Sequence, residues 1–262
     1  MNTYLDKILV AHRAAVAADT RSVESMIDQA KEMGPTRPFA AALRRPDEVA
    51  VIAEIKRRSP SKGDLNPGIS PPDWARSYEE GGAAALSVLT DEDFFGGSAA
   101  DLQSARNAVS VPVLRKDFTV SAKDVCDARL MGADAVLLIA AALDNHELAD
   151  FHTLARELGL GVLVETHDEA EVDRAMEIGA DVVGVNQRDL VTFHVDQARA
   201  VRVASHIPDS VVKVAESGIT GPESIRPLCD AGYDAVLVGE ALVTGGDARS
   251  GVEALRTSSR SC

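Results

Sequence analysis

The sequence predicts an α/β fold, a (β/α)8 barrel with an N-terminal helical extension, on three observations. Eight short aliphatic and β-branched runs recur from Val51 onward, each followed by a polar loop and then a helical stretch. These runs lack apolar/polar alternation, as expected of a parallel sheet whose faces are both covered. Several of them are introduced by one phrase: Gly132-Ala133-Asp134, Gly179-Ala180-Asp181 and Gly232-Tyr233-Asp234. A glycine past a helix end, followed at once by a buried strand, is the αβ connection of a repeating β/α unit.

The elements follow in order. Residues 2–33 read as one or two amphipathic helices, with Leu5, Ile8, Leu9, His12 and Val16 at roughly helical spacing. Pro35 and Pro38 close that segment, and 39–43 adds a helical turn. The strand candidates are VIAEIK (51–56), AALSVL (84–89), PVLRK (112–116), DAVLLI (134–139), GVLVE (161–165), DVVGVN (181–186), VVKVAE (211–216) and DAVLVG (234–239). Helix candidates are 72–80, 99–109, 122–131, 146–158, 169–178, 197–205, 222–231 and 247–255. A doubly wound sheet is the rival, but it lacks its nucleotide loop. GLGLGV (159–164) has no third glycine in place and precedes a strand. No Walker-type lysine loop occurs either. Residues 1–262 are expected to form a single TIM-barrel domain, with 1–48 as its extension.

Composition narrows the function. A chain of 262 residues with 45% hydrophobic and 26% charged residues is neither disordered nor collagen-like nor a coiled coil. The 27 basic and 41 acidic residues give a net charge of −14, so nucleic acid and anionic membrane are poor partners. An anionic ligand would need locally concentrated positive charge. The longest clean apolar run, 135–143, is too short to span a bilayer, and Asp6, Lys7, His12 and Arg13 interrupt any signal-peptide core. Cys126, Cys229 and Cys262 form no CxxC pair and read as reduced thiols of a cytoplasmic protein. With no fused catalytic domain and no strongly apolar surface segment, a monomer is the expectation.

The active site of such a barrel gathers at the C-terminal ends of its strands. The ionisable or amide side chains that fall there are Glu54, Lys56, Lys116, Glu165, Asn186 and Glu216. Glu54 and Lys56 share parity and project to one face. One charge at a strand end is ordinarily a solvated rim residue. Two lysines, three glutamates and an amide on five strands are too many for that, because buried ions must be paired. Phosphate binding is the second signal. Strand 7 ends in Glu216-Ser217-Gly218-Ile219 and strand 8 in Gly239-Glu240-Ala241, where backbone N–H groups reach an anion without side chains in the way. Ser59 and Ser61 are further donors. His167 and His194 lie in separate loops without metal spacing, so neither a metal nor an organic cofactor is expected.

EIKRRSPSKG (54–63), LRKDF (114–118), LVETH (163–167), VNQRDL (185–190), AESGI (215–219) and LVGEAL (237–242) resemble the successive motifs of indole-3-glycerol-phosphate synthase. TDEDFFGGS (90–98) resembles that family's aromatic loop after strand 2, and the likeness spans nearly the whole chain. The resemblance implies conversion of 1-(2-carboxyphenylamino)-1-deoxyribulose 5-phosphate to indole-3-glycerol phosphate, with loss of carbon dioxide and water. It implies Lys116 as general acid of ring closure, Glu165 as acid/base of dehydration and Lys56 as the contact to the substrate carboxylate. Glu54 and Glu216 match positioning carboxylates, and Asn186 the amide that orients the intermediate. Ser59, Ser217, Gly218 and Gly239 match the phosphate site, and Phe94 and Phe118 apolar contacts to the anthranilate ring. Arg188 matches an arginine of the loop after strand 6. Glu240 stands where some relatives have serine, so its carboxylate is expected to face away from the phosphate. Arg115 is expected on the opposite face from Lys116. The loop 57–67 is expected to act as a lid. A neighbouring isomerase barrel needs a cysteine at a strand end, and none is present. A catalytically silent barrel would have lost Lys56, Lys116 or Glu165.

Overall fold

The strand candidates close on themselves. In the computed structural model, which describes residues 3–60 and 62–259, eight parallel strands form a closed barrel. They are β1 (Ala50–Ile55), β2 (Ala85–Leu89), β3 (Val113–Lys116), β4 (Ala135–Ile139), β5 (Gly161–Thr166), β6 (Val182–Asn186), β7 (Val212–Glu216) and β8 (Ala235–Val238). Each pairs with its neighbours in sequence, and β1 pairs with β8 through Ala50↔Ala235 to Ala53↔Val238. The layer outside consists of α4 (Pro71–Glu80), α6 (Ala99–Ala108), α7 (Ala122–Leu130), α8 (Asn145–Glu157), α9 (Glu169–Glu177), α10 (Arg199–Val203), α11 (Ile225–Asp230) and α13 (Ala248–Ser259). Two short helices, α5 (Glu92–Phe95) and α12 (Glu240–Thr244), sit in the loops after β2 and β8. The N-terminal segment supplies α1 (Tyr4–Ala18), α2 (Val23–Lys31) and α3 (Phe39–Leu43).

The missing alternation has the expected cause: both strand faces are buried, against different partners. Ala50, Ile52, Leu114, Leu137, Leu163, Val212, Val214 and Leu237 fill the lumen. Val51, Ala53, Val136, Leu138, Val162, Val164 and Val183 face outward against Tyr78, Leu102 and Leu148 of the helices. Phe39 and Leu43 of α3 join the inner cluster, with Phe39 packed against Gly161 at the start of β5. The helix α3 therefore plugs the floor. At the other end α1 lies across the mouth, started by a capping box between Thr3 and Asp6.

Some local expectations need correction. Residues 197–205 form only the short α10 followed by a 3-10 turn, Ala204–His206, and 222–231 begin as a 3-10 turn, Pro222–Ser224. The loop 57–67 contains a two-stranded antiparallel ladder, Arg58–Ser59 with Gly63–Asp64, joined by Leu65 N–H donating to the Arg57 carbonyl at 2.8 Å. Ser61 lies outside the described residues. Cys126 is a buried free thiol, and Cys262 lies outside the described residues.

Candidate active site

Strand register carries the charged residues to one level. Glu54 stands beside Ser87, Glu165 beside Ile139 and Gly184, and Asn186 beside Glu216. They open into a cavity of about 750 Å³ at the C-terminal ends of the strands. Lining it are Glu54, Lys56, Ser59, Lys116, Phe118, Glu165, Asn186, Arg188, Glu216, Ser217, Gly218 and Gly239, every described position anticipated at the site except Phe94.

The cluster is a chain of buried charge contacts. Lys56 Nζ donates to Glu54 Oε1 at 2.6 Å, and Ser87 Oγ donates to Glu54 Oε2 at 3.2 Å. Lys116 Nζ donates to Glu165 Oε2 at 3.2 Å, and Asn186 Nδ2 donates to Glu165 Oε1 at 2.9 Å. Arg188 donates its backbone N–H to Asn186 Oδ1 at 3.0 Å and its guanidinium to the Phe193 carbonyl, which locks the loop after β6. Arg115 points outward, as its parity requires, and is spent on Asp117, Thr90 and the Asp124 carbonyl.

Two glycines make room for these carboxyls. A Cβ on Gly184 would lie 2.0 Å from Glu216 Oε1, and one on Gly239 would lie 2.4 Å from Glu54 Oε1. After β7, Ser217 and Gly218 both have positive φ, 63° and 73°. A serine held in the left-handed region is strained, and such strain clusters where backbone is aimed at a ligand. Gln187 Nε2 and Gln197 Nε2 brace this turn by donating to the Ser217 and Gly218 carbonyls, each at 2.7 Å.

The electrostatics separates three groups. Burial opposes the charge on Lys116, but Glu165, Glu216 and Glu54 together overcome it and raise its pKa above the ordinary lysine value. Burial likewise opposes ionisation of Glu165, yet Lys116 foremost, then His167 and Asn186, hold its pKa below the usual carboxylate range. For Glu54, burial is outweighed by Lys56 and Lys116, and the pKa is again lowered. Glu216 goes the other way: burial, with the negative Glu165 beside it, raises its pKa well above normal. The site therefore favours charge on the lysine, on Glu165 and on Glu54, and disfavours it on Glu216.

Two expectations change. Phe94 does not line the cavity; Phe95 does, and Phe94 packs edge-on against Tyr4 with ring centroids 5.9 Å apart. The cause is the phase of α5, set by Asp91, whose Oδ1 accepts the Phe94 N–H at 2.6 Å. Glu240 does not face away. It lines the cavity and is ion-paired with Lys62 from the loop after β1, which offsets its charge. Sequence reasoning also missed the wall made by Tyr4, Leu5 and Ile8 of α1, completed by Leu190 and Phe193. The amphipathic spacing of α1 was its only signal. His12, Asp91 and Asp117 come close enough to suggest a cation, within 4.8 Å of one another. Their atoms are already engaged: His12 Nε2 with Asp91 at 2.9 Å, Asp117 with Arg115 at 2.8 Å and with the Phe118 N–H at 2.8 Å. That network ties α1 to the ends of β2 and β3.

Comparison with known proteins gives a consistent result. The family model "Indole-3-glycerol phosphate synthase" matches residues 5–255. An indole-3-glycerol phosphate synthase of Nocardioides sp. is 51% identical over 91% of this chain and 89% of its own length. One of Parafrankia sp. is 49% identical over 97% of this chain and 95% of its own. Among solved structures, thiamine phosphate pyrophosphorylase from Pyrococcus furiosus superposes with a TM-score of 0.62 at 18% identity, covering 84% of this chain and 97% of that one. That likeness concerns the barrel fold alone.

Proposed function

The chain belongs to the indole-3-glycerol phosphate synthase family, and from that premise we propose the part each of its residues plays. The reaction closes the pyrrole ring of 1-(2-carboxyphenylamino)-1-deoxyribulose 5-phosphate to give indole-3-glycerol phosphate, carbon dioxide and water, a carboxy-lyase step of tryptophan biosynthesis. The observation that carries our assignment is one lysine, Lys116, 3.2 Å from the buried Glu165 in a cavity that Glu54 and Glu216 also line.

Ring closure needs a proton on the ketone oxygen as the aromatic carbon attacks it. Lys116 carries that proton, and the 3.2 Å contact to Glu165 fixes where it points. Lys56, held by Glu54 at 2.6 Å, takes the substrate carboxylate until it leaves as carbon dioxide. Dehydration then removes a proton from carbon and returns one to the departing hydroxyl. Glu165, ionised and fixed by Asn186, is the base, and it returns the proton as acid. Glu216, whose neutral form burial and Glu165 favour, donates a hydrogen bond to a substrate hydroxyl. The phosphate lies on the N–H groups of Ser217, Gly218 and Gly239 with Ser59 beside it, and Arg188 orders the adjoining loop. The anthranilate ring packs between Phe118, Phe95 and the α1 wall. The segment 57–67 closes over the substrate as a lid, with Lys62 and Glu240 as its meeting point.

The same reading takes residues 1–262 as one domain with 1–48 as extension, acting as a monomer in the cytoplasm on an anionic sugar phosphate. Acid/base chemistry of this kind calls on protons alone, so neither a metal nor an organic cofactor enters the scheme. No helix among the described residues is long and apolar enough to cross a membrane. The test is a fluorescence assay of indole-3-glycerol phosphate formation with Lys116→Ala and Glu165→Gln beside the wild type. Each variant is expected to lose roughly 10²–10⁴-fold in kcat, the usual weight of a general acid or base. A variant that keeps wild-type turnover would remove its residue from the scheme.

A further inference from the structure

His167 stands behind Glu165 and does not line the substrate cavity. Its Nδ1 is fixed on Glu171 Oε2 at 3.1 Å, and the same carboxylate oxygen accepts the His167 backbone N–H at 2.8 Å. Its Nε2 is buried, has no hydrogen-bond partner, and lies 3.6 Å from Glu165 Oε1. The other oxygen of Glu165 faces Lys116. A single carboxylate thus spans the histidine and the lysine.

The stoichiometry gives this arrangement a task. The substrate enters with its carboxylate ionised and loses it as neutral carbon dioxide. Two protons go to oxygen, one on the ketone and one on the departing hydroxyl, and one comes off carbon. Each turnover therefore consumes one proton from solvent, and the group left short is Lys116. Glu165 is buried to 1% exposure between Lys116 and His167, so while product occupies the cavity the route to Lys116 from behind runs through this carboxylate.

We propose that His167 is a positioning residue that returns this proton to Lys116 through Glu165. The Nε2–H bond of the imidazolium breaks as an Oε1–H bond forms on Glu165. The carboxyl turns, and the proton passes to the neutral Lys116 Nζ, leaving Glu165 ionised again. The imidazole is left neutral with its remaining N–H on Glu171, and it regains a proton from water between turnovers. The charged groups facing the ring are Glu165 on β5, Glu171 on α9 and Arg199 on α10. Although burial opposes the imidazolium and Arg199 also disfavours it, the two carboxylates prevail and raise the His167 pKa above the ordinary histidine value, which favours the proton-carrying form.

The inference rests on the acid/base assignment of Lys116 and Glu165, and the test separates the two. In the full-length enzyme His167→Ala is expected to lower kcat about 10–100-fold with KM unchanged within about twofold. Added imidazole should restore turnover in proportion to the imidazolium present, while His167→Asn, which fills the space without a titrating proton, stays slow. Glu171→Gln keeps the ring but removes a carboxylate that favours its charge, so the alkaline limb of kcat should move to lower pH. Wild-type kcat in both His167 variants, a loss confined to KM, an absence of imidazole rescue, or an unmoved limb in Glu171→Gln would each overturn the relay. Glu165→Gln distinguishes the failures. If it is inactive while the His167 variants are normal, only the relay is wrong; if it is active, the underlying assignment is wrong.

Discussion

The floor and the mouth of this barrel are built from the same inward-facing positions of the same strands, and they differ in what they carry. On β1 the lumen sequence is Ala50, Ile52, then Glu54; on β5 it is Leu163, then Glu165; on β7 it is Val212, Val214, then Glu216. The lower positions pack against one another and against Phe39 and Leu43 of α3. The upper ones hold charge in a place where hydration is lost and partners must replace it. A strand's first inward residues thus stabilise the barrel, and its last one supplies chemistry at some cost in stability. The two ends should answer to substitution differently, stability at the floor and turnover at the mouth.

The largest stability effect belongs to the floor. Phe39 is buried in the lumen against Gly161, and Phe39→Ala leaves a cavity that α3 alone cannot close. The expected loss is about 3–5 kcal/mol in guanidinium unfolding. At a temperature where the variant is folded, kcat should stay within about twofold of wild type, because the chemistry lies at the opposite strand ends. A large kcat loss at full folding would show that floor packing sets the geometry of the mouth, and the division of labour would fail. Gly184→Ala sits where the two layers meet. Its Cβ would be 2.0 Å from Glu216 Oε1 and 3.2 Å from Leu163 Cδ1, so it should cost about 1–3 kcal/mol and also reduce kcat.

How far the sequence foretold this division depends on distance along the chain. Strand ends are local: an apolar run that finishes in Glu54, Lys116 or Glu165 declares both its burial and its direction. Phe94 was misplaced because its orientation depends on the phase of a one-turn helix, which the Asp91 cap sets and composition does not reveal. The α1 wall was invisible for a different reason. Amphipathic spacing shows that Leu5 and Ile8 face something apolar, but not that the partner is the cavity rather than a helix. Lys62 and Glu240 lie at opposite ends of the barrel sequence, so the pairing that turns Glu240 inward has no local signature. The protonation pattern was equally out of reach, since it sums contributions from β1, β3, β5 and β7.

The smallest expected effect sharpens the comparison most, because it separates stability from turnover within one residue. The pKa of Glu216 is raised in the folded chain by burial and by Glu165. Between its unfolded and folded values the native state holds a proton that the unfolded state has released. Stability therefore falls as pH rises through that window, and it is highest below the unfolded value. Glu216→Gln cannot ionise and should lose this dependence. At pH 8 it is expected to unfold at higher guanidinium, by about 1 kcal/mol, with the advantage shrinking toward pH 4. Its kcat should fall at the same time, since an amide cannot match the hydrogen bond a neutral carboxyl gives a substrate hydroxyl. Unfolding curves that differ from wild type by the same amount at both pH values would mean Glu216 is ionised in the native enzyme. The mouth would then hold three charged carboxylates, and the contrast with the floor would be steeper than the raised pKa implies.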